Sequence, residues 1–296
     1  MPVAASDGVG YLAVHRSDLQ DGLLSAARRD RLISIEFGTT LADFTVGPGG
    51  VILTVKDAAD VERIDGAPLL IGADGVRSAV AESLGLPPAR DTGLVAARFA
   101  APIEGGAAQG EIEAWLGPRR HAVAYPMSSG RAVNIVLIAP SAEPVLPGFS
   151  RWDPRLRGLL SRAEPVGTWP LMTTEPERRL DQNGRVCLIG DAAHAMLPFA
   201  AQGAAMAIED GYVLAQNLAQ AGAGAKFGEA LARFQAERQT RLAKVRSRVA
   251  FHRFVYHLPF PASLGRDAAL ALRSPESLRA DLAWLYDWMP GYDAGR

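Results

Sequence analysis

The stretch CLIGDAAHAMLPFAAQGAAMAIEDG, residues 187 to 211, decides how the rest of the chain is read. An apolar run from Cys187 to Ile189 leads straight into Gly190-Asp191, His194 and Pro198 follow, and Gln202-Gly203-Ala204-Ala205 opens a helix. A short apolar run bounded by glycine fits a buried strand of a parallel sheet. Such sheets bind ligands beyond the carboxyl ends of their strands, and there Asp191 can accept hydrogen bonds from the hydroxyls of a ribityl or ribose chain. A helix start so poor in side chains leaves backbone N–H groups uncovered, which suits an anion or an electron-rich ring edge. The competing reading is a carboxylate that caps a local turn, with alanines that merely permit close helix packing.

Working outward, PLLIGADGVRSAVAESLGL (68–86) repeats the plan as a short strand, a turn and a short helix. Asp74-Gly75 ahead of Arg77 can hold a pyrophosphate or the adenosine ribose, or Asp74 can simply cap the helix that follows. Between the two units, residues 94–139 change character: LVAARFA, EIEAWL, HAVAYPM and AVNIVLI are strands separated by turn residues, a mostly antiparallel sheet. The expectation is an α/β fold, a doubly wound cofactor domain interleaved with a β-rich α+β domain. The boundaries are 1–90 and 174–250 for the two parts of the cofactor domain, 91–173 for the sheet domain and 251–296 for a helical extension.

Further elements follow from local patterns. Ser17, with Gln20 three places on, predicts an N-cap and a helix. LISIEF (32–37) predicts a strand, and LADFTVGPGGVILTV (41–55) a hairpin around Gly-Pro-Gly-Gly. Helices are expected near 153–162, 202–220 and 227–250. In the last of these, Arg233, Arg238, Arg241, Lys244, Arg246 and Arg248 are interrupted by Glu229 and Glu237, which predicts a solvated helix face.

Composition narrows the function classes. The 296 residues carry a formal net charge of −1, so no global field draws the chain to nucleic acid or anionic lipid. The single cysteine, Cys187, lies in an apolar run and cannot form an intramolecular disulfide. The opening MPVAASDGVG lacks a basic n-region and an apolar h-region, and no apolar run reaches membrane-spanning length, so a cytoplasmic protein is expected. His252 and His257 have no metal-ligand pattern around them, so no metal site is expected.

Taken together, the motifs resemble those of the FAD-dependent aromatic hydroxylases of the para-hydroxybenzoate hydroxylase fold, salicylate-hydroxylase-like branch. LLIGADGVRSAV resembles that family's Asp-Gly motif, and GRVCLIGDAAHAMLPFAAQGAAMAIEDGYVLA its Gly-Asp motif. HRSDLQDGLL is similar to its Arg-bearing helix start, WLGPRRHAVAYPM to its substrate sheet and WLYDWMPGYD to its tail. Ala81 and Pro68 depart from residues common in the family. The resemblance implies that Asp191, after Gly190, holds the FAD ribityl chain. It places Asp74 and Gly75 near the pyrophosphate and Arg16 on the phosphate-ribityl side. Pro198 falls beside the isoalloxazine, with the backbone of Gln202, Gly203, Ala204 and Ala205 along its edge. It further implies a monooxygenase that is reduced by NADH or NADPH, activates dioxygen as a flavin hydroperoxide, and hydroxylates a small salicylate- or hydroxybenzoate-like substrate.

On the strand HAVAYPM, His121, Val123 and Tyr125 share a face. His121, with Tyr125 beside it, is the candidate for accepting a phenolic proton; the alternative is a structural histidine at a strand end. His194 follows Asp191 too closely to be read as a base. The family's N-terminal Gly-x-Gly-x-x-Gly unit has only a near match, Gly8 to Ala13, without a strand before it or a helix after it. The expectation is therefore a truncated chain, with an incomplete flavin domain, that acts as a homodimer or receives the missing segment from a separate chain. Two other functions stay open: a non-catalytic remnant that cannot hold FAD alone, and a flavin-dependent oxidase or reductase without hydroxylation.

Overall fold

The computed structural model describes residues 14–103, 112–127, 131–221 and 227–289. The Gly8–Ala13 near match lies outside them. By backbone contacts the chain divides into two compact units, one of residues 35–91 and 172–252, the other of residues 1–34, 92–171 and 253–296.

The first of these units holds both strand–Gly-Asp motifs. Strands β1 (Thr40–Gly47) and β2 (Gly50–Lys56) form the expected hairpin, and β3 (Glu62–Ala67) adds a third antiparallel strand. The turn forces Gly50 to a φ of +147°, where a side chain would also strike the Ala67 carbonyl. Strand β4 (Leu70–Gly72) pairs in parallel with β10 (Val186–Leu188), with Leu70 opposite Val186 and Gly72 opposite Leu188. All of β10 is buried. Burial pushes the Cys187 thiol far up from its ordinary range, so it packs as a small apolar residue.

Gly72 is fixed by packing. A Cβ there would stand 2.7 Å from Leu188 Cδ2 and 3.0 Å from Val80 Cβ. Val80 is buried on α2 (Ala79–Ser83), so neither neighbour can swing out. Gly72→Ala should therefore destabilise the chain by about 1–3 kcal/mol, the usual range for overpacking. Urea unfolding measures this, and a change below about 0.5 kcal/mol, the ordinary surface range, would show that the strand pair is not closely packed.

Two long helices belong to the same motif region: α5 (Gly203–Ala221), which starts at the expected Gly203, and α6 (Phe227–Tyr256), which runs 30 residues. Met206, Val213 and Leu214 of α5 and Leu231, Phe234 and Val245 of α6 are buried. The turn ahead of β10 is pinned by Gln235 of α6, whose Oε1 accepts from the amides of Leu180 (2.6 Å) and Asp181 (3.0 Å). A short helix, α4 (Asp191–His194), follows β10 directly.

In the other unit, β5 (Arg90–Pro102), which enters from the first unit, β6 (Glu113–Gly117), β7 (Arg120–Met127), β8 (Ala132–Pro140) and β9 (Glu164–Thr173) form a five-stranded sheet in the order β6-β7-β8-β5-β9. The β6–β7, β7–β8 and β8–β5 pairings are antiparallel, as the strand pattern predicts. One face carries the core: Phe99, Ala122, Ala124, Ile135 and Leu137 pack with Phe149 and with Leu156 of α3 (Pro154–Leu160). The remaining helices are α1 (Arg16–Arg29), α7 (Ala262–Ala271) and α8 (Pro275–Tyr286).

Three expectations need correction. Residues 32–37 form no strand; Leu32 and Ile33 turn back on Asp30 (Leu32 N to Asp30 Oδ1, 2.9 Å), and Leu32 and Phe37 are exposed. β propensity without a ladder partner does not make a strand. The N-cap of α1 is His15, whose ring Nδ1 accepts from the Ser17 amide at 3.3 Å, so the helix starts ahead of Ser17. The basic face of α6 is not simply solvated: Arg238 is fully buried and Arg241 is 9% exposed.

Candidate functional site

The parallel pairing of β4 with β10 sends both motifs out of the same end of the strand pair. The Ile189 amide donates to the Gly72 carbonyl at 3.0 Å, so the chains are still in register where they leave the sheet. Gly190 then takes a φ of +59°, and a Cβ there would meet Ala207 Cβ at 3.2 Å. Glycine is needed both for the turn and for the close approach of α5.

The loop that follows is held from several sides. Asp210 of α5 accepts the Gly190 amide at 2.9 Å and the His194 Nε2 at 2.5 Å, both on Oδ2. Arg178 Nη1 donates to the Ala192 carbonyl at 2.8 Å, and Thr174 Oγ1 to the Ala193 carbonyl at 3.2 Å. With 190–195 fixed in this way, Asp191 projects outward. It is exposed, and its carboxylate makes no hydrogen bond or ion pair among the described residues. The turn-cap alternative therefore fails for Asp191. It succeeds in part for Asp74, whose Oδ2 accepts the Val80 amide at 3.2 Å, while Ser78 supplies the N-cap of α2.

The start of α5 is equally bare. Gly203 is half-buried and Ala204 exposed, and nothing lies within 4 Å of the place a Gly203 Cβ would take. Gly75, at a φ of +83°, is open in the same way. Pro198 is exposed at the start of a 3-10 turn, and the Gln202 side chain is buried. Uncovered helix N–H groups, an outward carboxylate and glycines with open space above them fit a cofactor that brings hydroxyls and phosphate close to backbone.

Comparison with known proteins fits this geometry. The family described as FAD binding domain matches residues 8–146 and 164–249. The chain belongs to this FAD-binding family. Among curated relatives of this FAD-binding chain, 3-amino-4-hydroxybenzoate 2-monooxygenase of Streptomyces cremeus is 32% identical, over 94% of this chain and 71% of that one. The 3-hydroxybenzoate 6-hydroxylase of Polaromonas naphthalenivorans is 30% identical, over 96% and 73%. A solved salicylate hydroxylase substrate complex shares the fold, with a TM-score of 0.73 at 23% identity over 97% of this chain and 76% of that one. The fold is thus the α/β flavoprotein fold expected from the sequence.

The structure gathers Asp74, Gly75, Gly190, Asp191, Pro198, Gln202, Gly203, Ala204 and Ala205 in the unit of residues 35–91 and 172–252; Arg16, His121 and Tyr125 belong to the other. In that second unit the sheet register puts Tyr125 opposite Asn134, and Val123 opposite Val136, which in turn faces Arg98. His121, Tyr125, Asn134 and Arg98 therefore share the face away from the core. Asn134 is 8% exposed, yet its Nδ2 has no partner, a cost normally tolerated only where something else supplies an acceptor. The Arg98 guanidinium stands 5.6 Å from the Trp169 ring centroid.

His121 is buried against His257, Nδ1 to Nε2 at 3.0 Å, with Tyr256 edge-on at 5.4 Å. Burial and the neighbouring His257 hold it down at about 3. Burial, with Arg253, holds His257 at about 4. The unfolded chain binds these protons near 6.5 and the folded chain does not, so this part of the stability is complete above 6.5 and is lost as pH falls toward 4 and 3. The unfolding free energy should fall across that window, and a His121→Gln/His257→Gln double variant should show a shallower fall. An unchanged slope in urea titrations at stepped pH would sink the assignment.

Sequence reasoning missed Asp210, Glu209, Arg238 and Asn134. Three of them left a signal: two carboxylates, Glu209 and Asp210, at the end of a small-residue helix run, and one amide, Asn134, inside the apolar strand AVNIVLIAP; Arg238 left none.

Proposed function

We propose that this chain is an FAD-dependent monooxygenase that hydroxylates a small hydroxylated benzoate, using NADH or NADPH and dioxygen, in the cytoplasm. The observation that carries the reading is the outward Asp191 carboxylate, without a protein partner among the described residues, at the carboxyl end of a parallel strand pair, together with the bare N-terminus of α5. FAD, when bound, would supply the redox chemistry that activates dioxygen for transfer of one oxygen atom to the ring.

The rest is the work of the chain's own residues. Asp191 accepts from ribityl hydroxyls. The amides of Gly203, Ala204 and Ala205 stabilise negative charge at the ring edge, and Pro198 walls it off from water. Asp74 and Gly75 face the pyrophosphate, and Arg16 adds positive charge to the phosphate side. On the sheet unit, Asn134 and Tyr125 offer a donor pair to the substrate's oxygens. His121 is the proposed acceptor for the phenolic proton. Its depressed basicity weakens it in the free chain, and a phenolate formed beside the ring would raise it again, because an opposite charge favours the imidazolium.

The test is direct. Purified chain mixed with FAD should retain flavin after gel filtration, oxidise NADH or NADPH when a hydroxybenzoate is added, and yield a product one oxygen heavier by mass spectrometry. Hydrogen peroxide without that product would favour an oxidase, and failure to retain flavin would overturn the reading. Tyr125→Phe should raise KM by about tenfold, the worth of about one hydrogen bond, with a smaller change in kcat. An unaltered KM would remove Tyr125 from the substrate contact.

A further inference from the structure

A cavity of about 270 Å³ opens in the unit of residues 35–91 and 172–252, and no residue assigned above to FAD lines it. Its apolar wall is made by Pro176, Leu180, Leu242 and Ala243. Its polar groups are Arg178, Arg246, Gln235, Gln239, His194 and the exposed Glu177. Two of these have atoms with nothing to bind. His194 is 2% exposed; its Nε2 is taken by Asp210, and its Nδ1 has no partner. The Nε of Arg178 is buried and equally without a partner.

The two guanidiniums are also poorly compensated. Arg178 donates to the carbonyls of Ala192 and Pro87, and Arg246 to those of Pro176 and Glu175; neither forms a salt bridge among the described residues. Glu175 lies close enough to act on Arg178, but its carboxylate is engaged by Arg90 at 2.5 Å. Burial lowers the basicity of both arginines, and Arg178 lowers that of Arg246 further. Two neighbouring cations in a partly apolar hollow, bonded only to neutral carbonyls, are costly unless an anion joins them.

We propose that this cavity is a second binding site, separate from the flavin site, for a small organic carboxylate with an apolar body. Arg178 and Arg246 take the carboxylate, and His194, with its buried Nδ1 unpartnered, lines the same cavity. Leu180 and Leu242 cover the body. The volume sits just under the range of about 300–1,000 Å³ common for small-molecule pockets, so the ligand is of benzoate size. Because His194 shares Asp210 with Gly190, occupancy of this cavity also bears on the loop that presents Asp191.

The probe is 4-bromobenzoate, soaked into crystals of the full chain and titrated by calorimetry in solution. A bromine anomalous peak inside the cavity, with the carboxylate toward Arg178 and Arg246, supports the proposal. A cavity filled with ordered water only, or a bromine peak confined to the sheet face of Tyr125 and Asn134, overturns it while leaving the monooxygenase reading intact. In solution, Arg246→Met should weaken this binding by at least about tenfold, as expected for one lost charge-assisted pair. Ala243→Phe, which fills the rim without touching a charge, should abolish it. Binding that survives both variants overturns the site.

Discussion

Replacing Arg238 with methionine should lower the unfolding free energy by about 3–5 kcal/mol, because it strands buried carboxylates without a counter-charge. Arg238 and Asp210 are both fully buried, joined Nε to Oδ1 at 2.7 Å, and Arg238 Nη1 also holds Glu209 at 2.6 Å. Arg241 closes the group onto Glu209 at 3.0 Å. Net stability of a domain is about 5–15 kcal/mol, so the loss is a large share of it. Asp210→Asn should cost a comparable amount. In the Arg238→Met/Asp210→Leu pair the loss should be smaller than the sum, since removing both charges leaves neither stranded. Burial alone would raise the Asp210 carboxyl, but His194, Arg238 and the Gly190 amide outweigh it and hold the group below its ordinary value of 3.8. Its contribution is therefore complete above that value and is lost as pH falls through the lower folded one. Urea unfolding at neutral pH decides the matter: a cost under about 1 kcal/mol would place the network among ordinary exposed ion pairs.

This network also marks the limit of what the sequence disclosed. The strand at 186–188, the open helix start at Gly203 and the outward Asp191 were legible, because each rests on a local pattern: an apolar run, a glycine stop, a string of small residues. The antiparallel sheet was legible for the same reason. The burial of Arg238 was not. Its neighbours in sequence are polar, and a basic stretch on a long helix normally faces water. What buries it is the pair Glu209-Asp210 on another helix, a long-range match that periodicity does not encode. The segment 32–37 failed in the opposite direction: its composition is that of a strand, and only the missing ladder partner shows otherwise. Asn134 shows a middle case, since its position in an apolar strand could be seen but not the face it shares with Tyr125.

The Asp191 carboxylate separates binding from stability. Asp191→Ala should leave the unfolding free energy within about 0.5 kcal/mol of the parent, the ordinary range for an exposed side chain without partners. The same variant should bind FAD about 10–100-fold more weakly, because each hydrogen bond to a charged acceptor contributes about 1.5–3 kcal/mol. Gly203→Leu acts from the other side. It places a side chain in the open space above the first turn of α5 without straining the backbone, and should likewise weaken FAD while sparing the fold. Flavin fluorescence quenching gives the affinity and urea unfolding the stability, so the two effects are read independently. Loss of stability together with affinity in Asp191→Ala would make the residue a turn cap after all. Retained affinity in both variants would mean that FAD does not lie across the ends of β4 and β10, since no ligand seated there could ignore both the carboxylate and the blocked helix start.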